Sequence, residues 1–199
     1  SKELALVQIS VLPPDTGSKV AMPVFVQRQF SFQVTENVAQ GATVGTVRAK
    51  IEGSNADQPI SYAIYSGDPD GYFSIDPRLG TINVKSSNID REKYSHLLLN
   101  VQAYTGQYPG PYRYAHTQVN VTILDENDNV PLFPSSALKI SIPENVPVEN
   151  STPILVAYAV DYDSGKFGQV RYSLYRADGQ HSTDQEFPFE IGESSGHVL

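Results

Sequence analysis

The sequence predicts an all-β protein built from tandem antiparallel sandwiches. Three observations predict it. Apolar residues alternate with polar ones at the two-residue period of strands, clusters of Gly, Pro, Asn and Asp separate these runs, and the pattern occurs twice at an offset of about 110 residues. Gln29–Val34 (QFSFQV) puts Phe30, Phe32 and Val34 on one face, and Thr117–Ile123 (TQVNVTI) does the same with Val119, Val121 and Ile123. Ile60–Ile64 and Lys139–Ile142 alternate too, and no sustained helical apolar stripe occurs. Short strands at this spacing are those of a sandwich.

The repeat is visible in three places. Phe32–Val38 (FQVTENV) matches Ile140–Val146 (ISIPENV) at an offset of 108, and Ile60–Ile64 (ISYAI) matches Val170–Leu174 (VRYSL) at 110. Phe73–Ile75 followed by Gly80 matches Phe189–Ile191 followed by Gly196 at 116. The growing offset places extra residues in the second copy, within the polar stretch Arg176–Glu186. Residues 1–12 (SKELALVQISVL) resemble the end of the first copy and are expected to be the last strand of a preceding repeat. Residues 13–24 then form an atypical linker, 25–128 a complete repeat, 125–133 a second linker, and 134–199 a second repeat cut before its last two strands.

Composition excludes several classes. The 199 residues contain no Cys, so neither a disulfide framework nor a thiolate metal site is available. A repeat of roughly 100 residues can fold on its core alone. The net charge of −8 argues against nucleic acid, which needs clustered Lys and Arg. No apolar run approaches the roughly 20 residues of a membrane span, and no signal peptide opens the chain. His96, His116, His181 and His197 are scattered without zinc-site spacing.

The richest segment is Asp125-Glu126-Asn127-Asp128-Asn129-Val130-Pro131-Leu132-Phe133. Its five consecutive oxygen-bearing side chains suit Ca2+, which takes six to eight oxygens at about 2.3–2.6 Å. Pro131 stiffens the exit and blocks a helix. An EF-hand does not fit, because its sixth position should be Gly and is Val130, and its twelfth should be Glu and is Ser136. Taken alone, the segment is equally readable as a solvated acidic turn. It is not alone. Glu36-Asn37 and Glu144-Asn145 occupy matched repeat positions, Asp90-Arg91-Glu92 brings two carboxylates, and Asp161-Tyr162-Asp163-Ser164-Gly165 brings two more after an apolar run.

The ordered set xEN, DRE, DxNDNxPxF and DxDxG, at a spacing near 108 residues, resembles the extracellular cadherin repeat over essentially the whole chain. The resemblance is to long, non-classical cadherins of the protocadherin, Fat, Dachsous or N-cadherin kind. It implies a seven-strand Greek-key, immunoglobulin-like sandwich for each repeat and three Ca2+ at a standard junction. It also implies the ligands. Glu36, Asp90 and Glu92 would come from the base of the first repeat. Asp125, Asn127 and Asp128 would come from the linker, with backbone oxygens of Glu126 and Asn129, and Asp161 and Asp163 from the top of the second repeat. Glu144 implies a further calcium junction after the second repeat, and so at least four repeats in the parent chain. Phe167 stands where the family often has Asn, at a ligand that is a backbone oxygen. Seven carboxylates against three Ca2+ give −7 against +6. Without metal, like charges a few Å apart repel by roughly 1–4 kcal/mol per pair. The affinity expected of an extracellular module is about 10⁻⁴–10⁻³ M.

The upstream junction departs from the pattern. Its linker, Leu12–Phe25, carries only Asp15 as an acid, beside the basic Lys19. Aligning Ala49 with Ala159 puts Ile51 and Gly53 at the positions of Asp161 and Asp163, with Glu52 as a partial substitute if the register slips. The family's late-repeat Asp is here Thr105. Loss of the metal explains all three departures together, so this junction is expected to be calcium-free and either bent or flexible.

Two sequons, Asn120-Val121-Thr122 and Asn150-Ser151-Thr152, are candidate glycosylation sites, with Asn120 on the polar face of its strand. Tyr104–Tyr114 (YTGQYPGPYRY) reads as a long hairpin loop packed on its own sheet, or as an exposed adhesive surface. The chain is expected to be a soluble segment of a membrane-anchored, single-pass adhesion protein, on the extracellular side of the plasma membrane. Its partners are expected to be other cadherin ectodomains, homophilic or heterophilic. Absence of Trp excludes the Trp-anchored strand exchange used by some cadherins. A carboxylate-pair glycosidase is the enzymatic alternative, but its acids are accounted for as ligands and no nucleophile–base set accompanies them. A bacterial cadherin-like carbohydrate-binding module is the other, and the animal-type linker and the sequons weigh against it.

Overall fold

The computed structural model describes residues 22–52, 58–106, 112–144, 152–176 and 188–199. The expected strand at residues 1–12 and most of the upstream linker lie outside the described residues. Met22–Val24, placed above at the end of that linker, already belong to a strand. The described residues fall into two compact units: one comprises segments up to Phe32, Gln40–Lys85 and Leu98–Val121, the other Gln33–Ala39, Ser86–Leu97 and Thr122–Leu199.

Among the described residues, nine strand segments build the first repeat: β1 (Met22–Phe25), β2 (Gln29–Thr35), β3 (Thr43–Thr46), β4 (Ala49–Glu52), β5 (Ser61–Ser66), β6 (Phe73–Ile75), β7 (Thr81–Val84), β8 (His96–Thr105) and β9 (Arg113–Leu124). They form a four-stranded sheet in the order β2-β9-β8-β5, a three-stranded sheet β3-β7-β6 and the pair β1-β4. Seven strands become nine segments because the first and second are each divided. β1 pairs with β4 whereas β2 pairs with β9, and β3 pairs with β7. Pro23 is tolerated because, among the described residues, β1 is an edge strand paired with β4.

Alternation sets the inward faces, in β9 as the sequence shows and in β8 as well. Leu97, Leu99, Val101 and Ala103 of β8, and Val119, Val121 and Ile123 of β9, are all buried. Two threonines continue these inward rows. The Thr117 hydroxyl donates to the Arg28 carbonyl at 3.0 Å and that of Thr105 to Gln58 Oε1 at 3.3 Å, so neither is buried without a partner. At Gly45 a β-carbon would stand 2.4 Å from the Phe32 ring, so glycine is what lets that ring lie against β3.

The second repeat forms β10 (Leu155–Val156) paired with β11 (His197–Val198), plus isolated bridges between Leu132 and Val160 and between Ile191 and Val198. The repeat offsets recur as hydrogen bonds. Ala49 N–H donates to the Tyr62 hydroxyl at 3.0 Å, and Ala159 N–H to the Tyr172 hydroxyl at 2.9 Å. Tyr62 N–H donates to Pro77 O at 3.0 Å, and Tyr172 N–H to Glu193 O at 2.8 Å. Val47 N–H reaches Gly80 O at 2.9 Å, and Ala157 N–H reaches Gly196 O at 2.8 Å. Gly80 and Gly196 have φ of 68° and 67°. A β-carbon at these two positions would meet Val47 O at 2.4 Å and Ala157 O at 2.1 Å.

One expected element is absent. Lys139–Ile142 alternates but forms no strand, and Ile140 and Ile142 are exposed. Its first-repeat counterpart β2 pairs with β9, and β5 pairs with β8. Among the described residues, Lys139–Ile142 has no hydrogen-bonded sheet partner. The three-stranded sheet needs only local partners, and its counterpart is what forms. Phe133 is 54% exposed, with its ring 6.3 Å from that of Tyr172.

Three outcomes follow for unfolding experiments. Gly80→Ala should lower stability by about 1–3 kcal/mol, from the left-handed φ and the contact with Val47 O. Leu99→Ala, at a fully buried position, should cost about 2–5 kcal/mol; both are read by denaturant melts. Asp76 accepts the Leu79 and Arg78 N–H groups, each at 2.8 Å, and these hold its carboxyl below the usual aspartate value. Its contribution is therefore complete above the unfolded pKa and lost as pH falls through the lowered folded one. An NMR titration should place Asp76 below a free aspartate.

Candidate metal centre

Glu36 follows β2, anchored by its N–H to Leu124 O at 3.0 Å. Its carboxylate is fully buried, and its two oxygens accept separate backbone donors: Oε2 from Arg91 N–H at 2.7 Å and Oε1 from Glu126 N–H at 2.8 Å. Among the described residues no Lys, Arg or His pairs with it. Asn37 next door has φ of 54°, a left-handed conformation that Asn tolerates. The turn directs its amide to the Asp128 carboxylate.

The DRE loop is fixed by the buried Ile89, whose carbonyl accepts Asn37 N–H at 3.3 Å. Asp90 caps the turn that follows: its carbonyl accepts Tyr94 N–H and its side chain accepts Lys93 N–H, both at 3.0 Å. Asp163 is buried, and its Oδ1 accepts the Asn129 side-chain amide at 2.7 Å. Its own N–H donates to Asp161 Oδ1 at 3.0 Å. Asp125 Oδ2 accepts Ser164 N–H at 2.9 Å.

Two acidic triads result. Carboxylate oxygens of Glu36, Asp90 and Glu92 lie within 4.8 Å of one another, and so do those of Glu92, Asp125 and Asp163. Two oxygens on one Ca2+ can be no more than about 5 Å apart, so both triads meet the distance condition for a shared ion. The donors are all oxygen, which suits a hard cation. Glu92 belongs to both triads. Burial pushes its carboxyl upward, and the neighbouring Glu36 charge acts in the same direction. Burial acts to raise Asp125 too, but the Ser164 N–H and the Arg91 guanidinium outweigh it and hold the carboxyl below its usual value.

The other expected ligands lie outside the two triads. Asp128 accepts the Asn37 and Asn129 amides, Asp161 holds Asp163 N–H, and Asn127 is exposed. Glu126 contributes its N–H to Glu36. Glu144 is exposed. Asn120 is partly exposed on the face of β9 opposite Val119 and Val121, and Asn150 lies outside the described residues. Sequence reasoning missed the part played by Asn37 and by the Ser164 N–H, since an amide beside a Glu carries no signal until its φ is known. Tyr104, Tyr112 and Tyr114 gather with ring centroids 6.0–6.3 Å apart, Tyr112 and Tyr114 being exposed.

The counterparts in the first repeat are different. The matched tyrosine bonds align Ala49 with Ala159, which puts Ile51 at the place of Asp161. Ile51 lies in β4 opposite Pro23, and the Glu52 carboxylate pairs with Lys50 Nζ at 3.0 Å. Gly53 lies outside the described residues.

A family model for the cadherin domain matches residues 30–124. Drosophila melanogaster protein dachsous is 41% identical over 177 residues, which is 89% of this chain and 5% of that protein. Human protocadherin-23 is 40% identical over 150 residues, 75% of this chain and 4% of that protein. The crystal structure of mouse cadherin-23 EC22-24 superposes with a TM-score of 0.76 at 30% identity, covering 89% of this chain and 53% of that one. The chain thus spans about a twentieth of the length of these curated relatives. The doubled hydrogen-bond pattern and the ordered acidic motifs agree with these matches: the chain belongs to the cadherin family.

Proposed function

We propose that Asp125–Phe133, with the acids around it, is a calcium-binding junction between two repeats of an adhesion ectodomain. Cadherin domains generally bind calcium, and cadherins are adhesion proteins rather than enzymes. The observation that carries the reading is the sharing of Glu92 between two oxygen triads. Glu36, Asp90, Glu92, Asp125, Asp128, Asp161 and Asp163 would hold the metal, with Asn127 and the backbone oxygens of Glu126 and Asn129 completing the set. Bound calcium supplies positive charge that cancels the mutual repulsion of these carboxylates. Glu36 ties the DRE loop to the linker through its two N–H donors, and Asp163 ties the linker to the second repeat through Asn129. The junction is therefore loose when its acids repel and stiff when they are neutralised. Glu144 would serve a further junction downstream.

The upstream junction we propose to be calcium-free and bent or flexible. Its support is chemical: Ile51 stands in an acid's place, Glu52 is paired to Lys50, and the Thr105 hydroxyl is bonded to Gln58. The parent protein is proposed to be membrane-anchored with this segment extracellular, glycosylated at Asn120 and Asn150, and to engage other cadherin ectodomains. No helix among the described residues is long and apolar enough to cross a membrane. A second reading, that this segment itself carries a homophilic or heterophilic interface, is favoured by the exposed Tyr112 and Tyr114.

Calcium titration followed by calorimetry and melting tests the site. Calcium should raise the melting temperature and EGTA should reverse it, and Glu92→Gln should weaken calcium binding by at least about tenfold. An unchanged melt with and without calcium would remove the reading. For the asymmetry, small-angle scattering should be done on a chain with complete preceding and second repeats. Calcium should stiffen the junction at residues 125–133 and leave that at 13–24 as it was; equal response at both would refute a calcium-free upstream junction.

A further inference from the structure

Arg91 sits among the acids of the proposed centre and is not a ligand of anything. Its Nε contacts Asp125 Oδ1 and its Nη2 contacts Glu92 Oε1, and Nη2 also donates to the Tyr162 carbonyl at 2.8 Å. The guanidinium is largely buried, with a side-chain exposure of 16%. One side chain therefore joins its own DRE loop, the linker and the DYDSG segment. Asp125 extends the tie, because its second oxygen accepts Ser164 N–H. These bonds engage two of the three carboxylates of the second triad, Glu92 and Asp125.

We propose that Arg91 is a built-in cation that sets the calcium threshold of this junction. The inference rests on the calcium reading above. Its physical basis is a difference between two states. In the metal-free state Arg91 offsets part of the repulsion among seven carboxylates and holds three segments together through the guanidinium fork. In the loaded state the same fixed positive charge stands beside a dication that uses the same carboxylates, and the two repel. A group that stabilises the free state and opposes the bound one weakens binding. Arg91 thus keeps the junction partly ordered at low calcium and raises the concentration needed to fill it. A residue that only positioned ligands would act in the opposite direction, because its removal would weaken binding.

The test uses the 199-residue chain with Arg91→Met, Arg91→Gln and Arg91→Lys. Calcium affinity is measured by calorimetry, and hydrogen exchange of residues 125–129 and 161–164 is measured in EGTA and at saturating calcium. The two neutral variants should bind calcium about tenfold more tightly than the unsubstituted chain. In EGTA they should lose exchange protection in both segments, and saturating calcium should restore it. Arg91→Lys, which keeps the charge but not the fork, should hold its affinity within about threefold and still lose protection in EGTA. Neutral variants that bind calcium equally or more weakly, while the unsubstituted chain binds it, would overturn the proposal and leave the calcium reading standing. If the unsubstituted chain binds no calcium, both fall. Restored protection at saturating calcium shows that a variant is folded, and agreement between Met and Gln excludes an effect peculiar to one side chain.

Discussion

The buried carboxylate of Glu36 is the constraint around which the junction is arranged. A carboxylate removed from water costs several kcal/mol unless it is paired or hydrogen-bonded. Here each oxygen is answered by a backbone N–H from a different segment, one from the DRE loop and one from the linker. Backbone donors cannot be moved by changing a rotamer, so they fix the course of both segments. Asn37 then turns the chain in the left-handed region and delivers its amide to Asp128. Asp90 and Glu92 arrive beside Glu36, and Asp125 beside Glu92, as a consequence of where the backbone has been placed. The negative charge is left concentrated, and Arg91 is the cation that the fold itself provides among these acids.

Much of this was legible in the sequence, and the reasons can be named. Alternation in β2 and β9 is readable because each strand has one face toward the core, so a period of two survives in the residues. The matched positions Ala49 and Ala159, and Gly80 and Gly196, are readable because the same hydrogen bonds require the same residues twice. The acids were visible because Asp and Glu clustered at fixed repeat positions have few other uses. Other features were not legible. The division of the first two strands depends on β1 and β2 choosing different neighbours, which no local pattern records. The contact of Arg91 with the Tyr162 carbonyl joins residues distant in the chain, and a carbonyl carries no residue signature.

The run Lys139–Ile142 separates what a segment prefers from what it can achieve. Its alternation is as clean as that of its counterpart in β2, yet β2 is a strand and this run is not. A strand's hydrogen bonds belong to its neighbours. Among the described residues β2 is bonded to β9 in its sheet, whereas Lys139–Ile142 has the pattern but no ladder. β10 and β11 need only each other and form. Leu138, Ile140 and Ile142, in or beside this unpaired run, are exposed.

The contrast between Asp161 and Ile51 carries the argument about the two junctions furthest. An acid retained without its metal leaves unneutralised charge, so a junction that has lost the ion is under pressure to lose its acids as well. What replaces them must be satisfied by something other than metal. Ile51 has its place opposite Pro23, and Glu52 is neutralised by Lys50 on the exposed side. The buried Thr105 hydroxyl is bonded to Gln58. None of these groups is waiting for a cation. In the second junction the acids gather instead: two carboxylate triads share Glu92, and the Arg91 guanidinium lies against Glu92 and Asp125. Matched positions within one chain thus carry two electrostatic arrangements, one with Glu52 paired to Lys50 and one with the acids gathered around Arg91.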